Sequence, residues 1–264
     1  MASAYYDLGA FSHAVSELER ISQEAPRDPA PDRLLGLIAK DGELYTRAIQ
    51  HYLESLRRDP QQRDVDGART ELAECQIKVR QFHDAIATLT TCERSAVALT
   101  LEADCLSSLG HLDDAHDRLR DALELDSHYF PAKLAQGKLF LDQGQVEMAA
   151  VILEEAVQLA PLISQGHYQL SQALRQVGQT EQAEVELRRM QEIQRMERKF
   201  SDLHEKVAAR PNDADIRYQT GEVARQLGKF RLARIWFRAA LAIDPKHILA
   251  QTAINQTDAV LGQP

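Results

Sequence analysis

Residues 218–245 read YQTGEVARQLGKFRLARIWFRAALAIDP, two helix-length segments on either side of Gly228. In the second segment Ala233 and Phe237 are four residues apart, the spacing that places side chains on one face of an α-helix. Glycine readily ends a helix because it adopts the left-handed conformation without a Cβ penalty, and Pro245 stops the second helix because proline cannot continue one. The stretch therefore predicts two helices joined by a tight turn.

The same pattern returns along the chain. LLGLIAKDGELYTRAIQHYLESLRRDP (34–60) and HYQLSQALRQVGQTEQAEVEL (167–187) align with it. An alanine recurs at spacings of 34, 37, 30, 34, 34 and 50 residues: Ala14, Ala48, Ala85, Ala115, Ala149, Ala183 and Ala233. Recurrence near 34 residues is not expected of an ordinary helical bundle and predicts a repeat array.

Further columns accompany this repeat alanine. Three residues before it stand Phe11, Tyr45, Phe82, Leu112, Val146, Thr180 and Phe230. Four residues after it stand Leu18, Tyr52, Leu89, Leu119, Leu153, Leu187 and Phe237. Five residues before it is glycine in five of seven units: Gly9, Gly110, Gly144, Gly178 and Gly228. One helix pair cannot bury such a face alone, so neighbouring pairs must stack on each other.

These columns resemble the tetratricopeptide repeat, W-x2-L-G-x2-Y…A-x3-F…P over 34 residues. The resemblance covers nearly the whole chain. The initial tryptophan is absent, and only Gly36, Gly137 and Gly221 keep the glycine of the first helix. The resemblance implies an all-α fold, a right-handed α-solenoid of about seven stacked helix-turn-helix units with a capping helix at the C-terminal end.

Two irregularities qualify the regular array. Only MASAYYDL precedes Gly9, which leaves room for about two helical turns and predicts a fragment of a longer protein or an abrupt start. Before the last full unit about sixteen extra residues predict one long helix over 181–209. We therefore expect residues 1–200 to form the main array, and residues 201–264 to hold the end of the long helix, the final unit and the capping helix.

The long helix carries an apolar stripe of its own, made of Met190, Ile193, Met196, Phe200, Leu203 and Val207. We expect this stripe to pack on neighbouring units. If it were exposed, it would be a coiled-coil or dimer seam, so a homo-oligomer formed through residues 181–209 stays open as an alternative.

Composition excludes several classes of function. The chain has a net charge of -9, and an acidic body disfavours the wide phosphate contact that nucleic acid needs. No run of eighteen apolar residues is present, so we expect no membrane span. Three cysteines without CxxC spacing suit a reducing compartment. The cytoplasm is therefore expected, or an exported location if an upstream signal was removed.

The motifs of common catalytic and cofactor sites are missing. Neither GxGxxG nor GxxxxGK[ST] occurs, nor GxSxG, nor HExxH. His111, His116 and His128 are close in sequence but are interpreted as solvent-facing, and no His/Cys cluster has metal-ligand spacing. We expect no enzyme activity, no cofactor and no metal site.

The resemblance implies where a partner would bind, because in this family the first helix of each pair lines a concave groove that commonly holds extended peptides. The implied groove residues are Arg33, Lys40, Lys138, Tyr168, Gln172, Arg175, Tyr218, Glu222 and Arg225. The strings YQLSQALRQVG and YQTGEVARQLG repeat tyrosine and arginine at identical offsets, and these residue types often anchor interfaces.

The leading hypothesis is thus a non-catalytic scaffold or adaptor for a protein or peptide. Two alternatives remain open. One is a structural or self-assembly module, and the other is a piece of a larger protein whose active domain lies upstream.

Overall fold

The computed structural model describes the backbone of residues 11–262 and the side chains of residues 13–262. Within these residues the chain forms fourteen α-helices and no strand. They are α1 (Phe11–Glu24), α2 (Ala30–Asp41), α3 (Tyr45–Arg58), α4 (Val65–Lys78), α5 (Phe82–Leu89), α6 (Ala96–Ser108), α7 (Leu112–Leu125), α8 (Phe130–Asp142), α9 (Val146–Leu159), α10 (Ser164–Gln176), α11 (Thr180–Ala209), α12 (Ala214–Gln226), α13 (Phe230–Ile243) and α14 (Ile248–Leu261). The all-α prediction is confirmed, whereas the short first helix expected before Gly9 lies outside the described residues.

The helices alternate between two roles. The even-numbered helices from α2 to α12 are the first helices of the pairs (A helices), the odd-numbered ones are the second (B helices), and α14 follows the last pair. The chain divides into two compact units, residues 1–152 and residues 153–264. The first contains α1 to α8 and the start of α9, and the second contains the rest of α9 and α10 to α14.

The repeat alanines form the centre of the packing. All seven, from Ala14 to Ala233, are 0% exposed. A methyl group is the largest side chain that fits where two helices cross so closely, because a larger one would force them apart. The column predicted from the sequence is therefore the column around which each helix pair closes.

The turn between the two helices of a pair requires a left-handed residue. Four of the glycines in this column have positive φ: Gly110, Gly144, Gly178 and Gly228, with φ of 84°, 75°, 90° and 70°. The two repeats that lack the glycine place Glu43 and Arg80 there, and these residues adopt the same conformation, with φ of 57° and 63°. The turn geometry is thus kept even where the residue type is unfavourable.

In the first unit the A helices stack directly on each other. Each helix contacts the next one in the chain from α1 to α8, and in addition α2 contacts α4, α4 contacts α6 and α6 contacts α8. This is the arrangement of a solenoid, in which every pair covers the apolar face of its neighbour.

The second unit is organised around α11. This helix has 30 residues, or about 45 Å, and confirms the predicted long helix. It packs with both α10 and α12. Leu203 and Val207 in its second half, together with Ile193 near its middle, pack with the α12 residues Ile216, Val223 and Leu227. Leu162, which precedes α10, lies 3.0 Å from where a Cβ of Gly228 at the end of α12 would stand.

The helix expected after Pro245 is α14. Its buried residues Ala253 and Ile254 pack against Ala233 and Phe237, so it covers the last helix pair. The side chain of His247 begins α14, because its Nδ1 accepts the N–H of Ala250 at 3.1 Å.

Candidate partner-binding surface

Arg33 and Lys40, the first two implied groove residues, are both used inside the first unit. Arg33 on α2 donates hydrogen bonds to Glu71 at 3.2 Å and to Asp64 at 2.8 Å. Lys40 forms an ion pair with Glu74 on α4. Partial burial alone would lower the pKa of both cations, but the hydrogen bonds to these carboxylates outweigh it and raise each pKa. The two residues therefore join one repeat to the next.

Lys138 has a different environment. Its side chain on α8 is exposed, and it acts electrostatically on Asp104 of α6. Protein atoms around the Asp104 carboxyl desolvate it and raise its pKa, and the Lys138 ammonium offsets this only in part. The two side chains lie on α8 and α6, two A helices of the first unit that contact each other.

Tyr168, Gln172 and Arg175 on α10 lie together along one exposed side of that helix. Tyr168 is 46% exposed, and its hydroxyl accepts a hydrogen bond from Gln172 Nε2 at 2.8 Å. Gln172 and Arg175 are exposed as well. Among the described residues Arg175 has neither an ion pair nor a hydrogen bond. This group of side chains is free to contact a partner.

The exposure of Tyr168 is unusual for its place in the repeat. In α6 the residue at the same place is Thr100, which is 4% exposed. In α12 it is Tyr218, which is half-buried, and its ring lies 5.2 Å from the ring of His247 at the start of α14. In α2 it is Arg33, which is tied to α4. Tyr168 remains open because α12, the next A helix, packs on the second half of α11 and does not stack on α10 as α4 does on α2.

The first half of α11 is open on the same side. Leu187, four residues after its repeat alanine, is half-buried. The residues at that place in the other units are at most 3% exposed: Leu18, Tyr52, Leu89, Leu119, Leu153 and Phe237. The residue four places after the repeat alanine is therefore buried in the other units, whereas Leu187 in α11 is only partly covered.

Polar residues replace apolar ones around Leu187. Thr180, Glu184 and Gln191 are all exposed. In α3 the same places hold Tyr45, Ile49 and Leu56, which pack against the next A helix. We name the surface formed by Tyr168, Gln172, Arg175, Thr180, Glu184, Leu187 and Gln191 the open face. The sequence prediction missed the α11 residues of this face, although the loss of three apolar columns in one repeat is a visible signal.

A buried histidine holds the two helices of the open face together. His167 is 1% exposed, with Nδ1 2.5 Å from Glu186 on α11 and Nε2 2.9 Å from the carbonyl oxygen of Pro161. Because a carbonyl oxygen only accepts, Nε2 must donate to it. Tyr168 follows directly in the chain, so its position is fixed by this buried anchor.

Tyr218, Glu222 and Arg225 lie on α12. They are not adjacent to Tyr168, Gln172 and Arg175 of α10, which occupy the same offsets in the other tyrosine–arginine string. Arg225 donates to Glu222 at 2.5 Å within the same helix, which raises the Arg225 pKa. The sixteen extra residues of α11 displace α12 along that helix by about 24 Å. The two tyrosine–arginine strings therefore belong to two separate surfaces.

The apolar stripe of the long helix is used inside the second unit. Four of its residues are buried, namely Met190, Ile193, Leu203 and Val207. Met196 and Phe200 are half-buried and, like Trp236, pack against the apolar cluster that α11 forms with α12. The stripe packs on neighbouring helices, as expected. Its buried residues are not exposed as a seam for a second chain.

The histidines that are close in sequence do not come together as a site. His111 and His128 are exposed, whereas His116 is half-buried, with its Nε2 2.8 Å from the Gln143 side chain. The described residues contain no group of three or more His, Cys, Asp or Glu side chains with the geometry of a metal site. Within the same part of the chain, no helix combines the length and the apolar character that crossing a bilayer requires.

The repeat pattern is shared with a known family of proteins. The tetratricopeptide repeat family profile matches residues 1–63, 100–162 and 202–248. No curated protein sequence matches the chain.

Among solved structures, that of the APC/C hetero-tetramer Cut9-Hcn1 matches 97% of this chain at 16% identity with a TM-score of 0.57, and this chain spans 48% of its length. Two others are TTC0263 from Thermus thermophilus, with 16% identity, coverage of 88% and 99% and a TM-score of 0.47, and YrrB, with 14% identity, coverage of 89% and 96% and a TM-score of 0.43. Since the profile matches more than half of the residues and the helix pairs have the geometry it describes, the chain belongs to the tetratricopeptide repeat family.

Proposed function

We propose that this chain is a non-catalytic scaffold that binds an extended segment of a partner protein on the open face. Proteins of this fold generally mediate protein–protein interaction. The observation that carries the proposal is the exposure of Tyr168 beside an unpaired Arg175. At the same places in the first unit, Arg33 and Lys40 are tied to α4 and Thr100 is buried.

The chemistry of the partner is inferred from the regular repeats. Arg175 occupies the place that Lys40 has in α2, and Lys40 pairs with the carboxylate of Glu74 on α4, the next A helix. A partner segment with an acidic residue would give Arg175 the counter-ion that the displaced α12 does not supply. Tyr168 and the half-buried Leu187 would contribute apolar area, and Gln172 and Gln191 would bond to an extended backbone.

Lys138, Tyr218, Glu222 and Arg225 are proposed as secondary contacts, since they are accessible on other helices. Arg33 and Lys40 would contribute least, because a partner would have to break their ion pairs with α4. A reducing compartment such as the cytoplasm fits the three free thiols of Cys75, Cys92 and Cys105.

A library of peptides displayed on phage tests the proposal. We expect the chain to enrich peptides that carry Asp or Glu, and the Tyr168→Ala, Arg175→Ala double variant to bind a selected peptide at least about tenfold more weakly, the cost of losing an anchor of about 1.4 kcal/mol.

The matched control is Leu53→Ala with Arg57→Ala, an exposed apolar–arginine pair on α3. Equal binding by wild type and the Tyr168, Arg175 variant would exclude the open face. A photo-crosslinker introduced at position 168 should label the bound peptide, and the same group at position 53 should not.

A further inference from the structure

Two B helices carry exposed ridges of the same spacing and opposite charge. The α9 ridge consists of Glu147, Val151 and Glu154, and the α13 ridge consists of Arg231, Ile235 and Arg238. In both ridges the residues are related as i, i+4 and i+7, so they lie on one face of the helix. Both also occupy the same places relative to their repeat alanines.

The centre of each ridge is an aliphatic side chain in solvent. Val151 is 59% exposed and Ile235 is 61% exposed. Within the described part of the chain the four flanking charges have no ion pair or hydrogen bond. Arg234, one residue from the α13 ridge, is by contrast paired with Asp258 at 3.4 Å. The ridge charges are thus available to another molecule.

The other B helices whose side chains are described over the whole helix, α3, α5, α7 and α11, lack this combination. In α7 the equivalent residues are Asp113, Asp117 and Arg120, with no apolar centre and with Asp117 paired to Arg120 at 2.8 Å. In α11 they are Glu181, Val185 and Arg188, which carry both signs of charge. In α3 and α5 no acidic residue stands at these places.

We propose that a second copy of this chain is the partner of these ridges, with the α13 ridge of one copy docked on the α9 ridge of another. In an antiparallel crossing Ile235 meets Val151, Arg231 faces Glu154 and Arg238 faces Glu147. Each copy offers one ridge of each kind, so the contact is heterologous and extends head to tail or closes into a ring.

The charge pattern argues for a second copy because the two ridges match in three respects at once: spacing, apolar centre and opposite sign. A contact between two helix faces is smaller than the roughly 1,200 Å² that stable complexes bury, so the association is weak and depends on concentration. Exposed charge pairs are screened by salt, so it also weakens as ionic strength rises.

Sedimentation equilibrium of the full chain tests this. At an ionic strength of about 0.01 M, where the Debye length is about 30 Å, the average mass should rise with protein concentration. At about 1 M, where it is about 3 Å, the chain should remain a monomer. A monomer at every concentration in low salt overturns the proposal.

Charge reversal identifies the surface. Arg231→Glu with Arg238→Glu makes both ridges acidic, and Glu147→Arg with Glu154→Arg makes both basic. Each variant alone should be monomeric at low salt, and an equimolar mixture of the two should associate again. Both variants should fold, because all four side chains are exposed, and circular dichroism checks this.

The control is Glu181→Arg with Glu192→Arg, the same charge change at two exposed residues of α11, which should leave association unchanged. The proposal is overturned if either ridge variant alone associates as strongly as wild type. It is also overturned if the mixture of the two stays monomeric, because the contact must then lie elsewhere. The Tyr168→Ala, Arg175→Ala variant should still self-associate, which separates this inference from the proposed function.

Discussion

Gly221 on α12 lies directly against the ring of Phe237 on α13, so that a Cβ at position 221 would stand 2.6 Å from Phe237 Cε1. The backbone oxygen of Ala233 is 3.2 Å from the same point. Because Phe237 is 0% exposed and cannot move away, Gly221→Ala should lower the free energy of unfolding by about 1–3 kcal/mol. Urea denaturation followed by circular dichroism measures this change.

The equivalent Gly36 gives the comparison. A Cβ there would lie 3.1 Å from the Tyr52 ring, so a shift of a few tenths of an ångström relieves the contact. We expect Gly36→Ala to be less destabilising than Gly221→Ala. Equal losses would contradict the close approach of Gly221 and Phe237.

The left-handed residues Glu43 and Arg80 are sites for stabilisation. Non-glycine residues pay about 1–2 kcal/mol in this conformation. Glycine avoids that cost but loses more chain entropy on folding, so Glu43→Gly and Arg80→Gly should each raise the unfolding free energy by about 0.5–1 kcal/mol.

Gly110→Ala is the reverse control, since nothing lies within 4 Å of the added Cβ. Any loss of stability must then come from the backbone, because the φ of Gly110 is 84°. It should destabilise by about 1 kcal/mol. Thermal melts of the three variants check both directions, and a destabilised Glu43→Gly would argue against the turn geometry.

The Arg33–Glu71 pair joins two repeats and should be energetically coupled. A double-mutant cycle with Arg33→Ala and Glu71→Gln should give a coupling energy of about 0.5–1 kcal/mol at low salt, reduced at high salt. Arg33→Ala with Glu102→Gln, a carboxylate that pairs with Arg118 instead, provides the uncoupled control. A coupling near zero in the first cycle would show that the pair does not link α2 to α4.

The three thiols should react slowly in the folded chain. Burial raises the pKa of Cys75 and Cys92 to about 11 and that of Cys105 to about 12. At pH 8 a thiol with a pKa of 11 has on the order of a hundredfold less thiolate than a free one, so a disulfide reagent should react correspondingly more slowly than in urea.

The same shifts set the sign of the pH dependence. The pKa values of the buried thiols are raised in the folded state. The contribution of these thiols to stability is therefore complete below the ordinary pKa of 9.0 and is lost as the pH rises through 11 to 12. The free energy of unfolding should therefore be lower at pH 10 than at pH 8, and Cys105→Ala should reduce this difference. A thiol that reacts at the urea rate at pH 8 would contradict the burial.

Helix positions were predictable because they depend on local chemistry. Periodicity places Ala14 to Ala233 on the buried faces, and Gly110, Gly144, Gly178 and Gly228 mark the turns by their conformational freedom. The long α11 follows from a stretch without glycine or proline until Pro211.

The candidate site was only partly predictable. Tyr168, Gln172 and Arg175 were identified as partner-facing by the resemblance, and they are exposed. Arg33 and Lys40 were identified by the same argument, yet they pair with Glu71 and Glu74. An ion pair between two repeats depends on how the helices stack, which no single repeat encodes.

Which residues are helical, where each pair turns and which faces are apolar can all be derived from the amino-acid order, since these features follow from interactions within a few residues along the chain. The packing of α12 on the second half of α11, which leaves Tyr168, Glu184 and Leu187 uncovered, is visible only in the folded chain. Burial is a relation between segments that are distant in sequence, and local periodicity specifies an apolar face that must be covered without specifying which helix covers it.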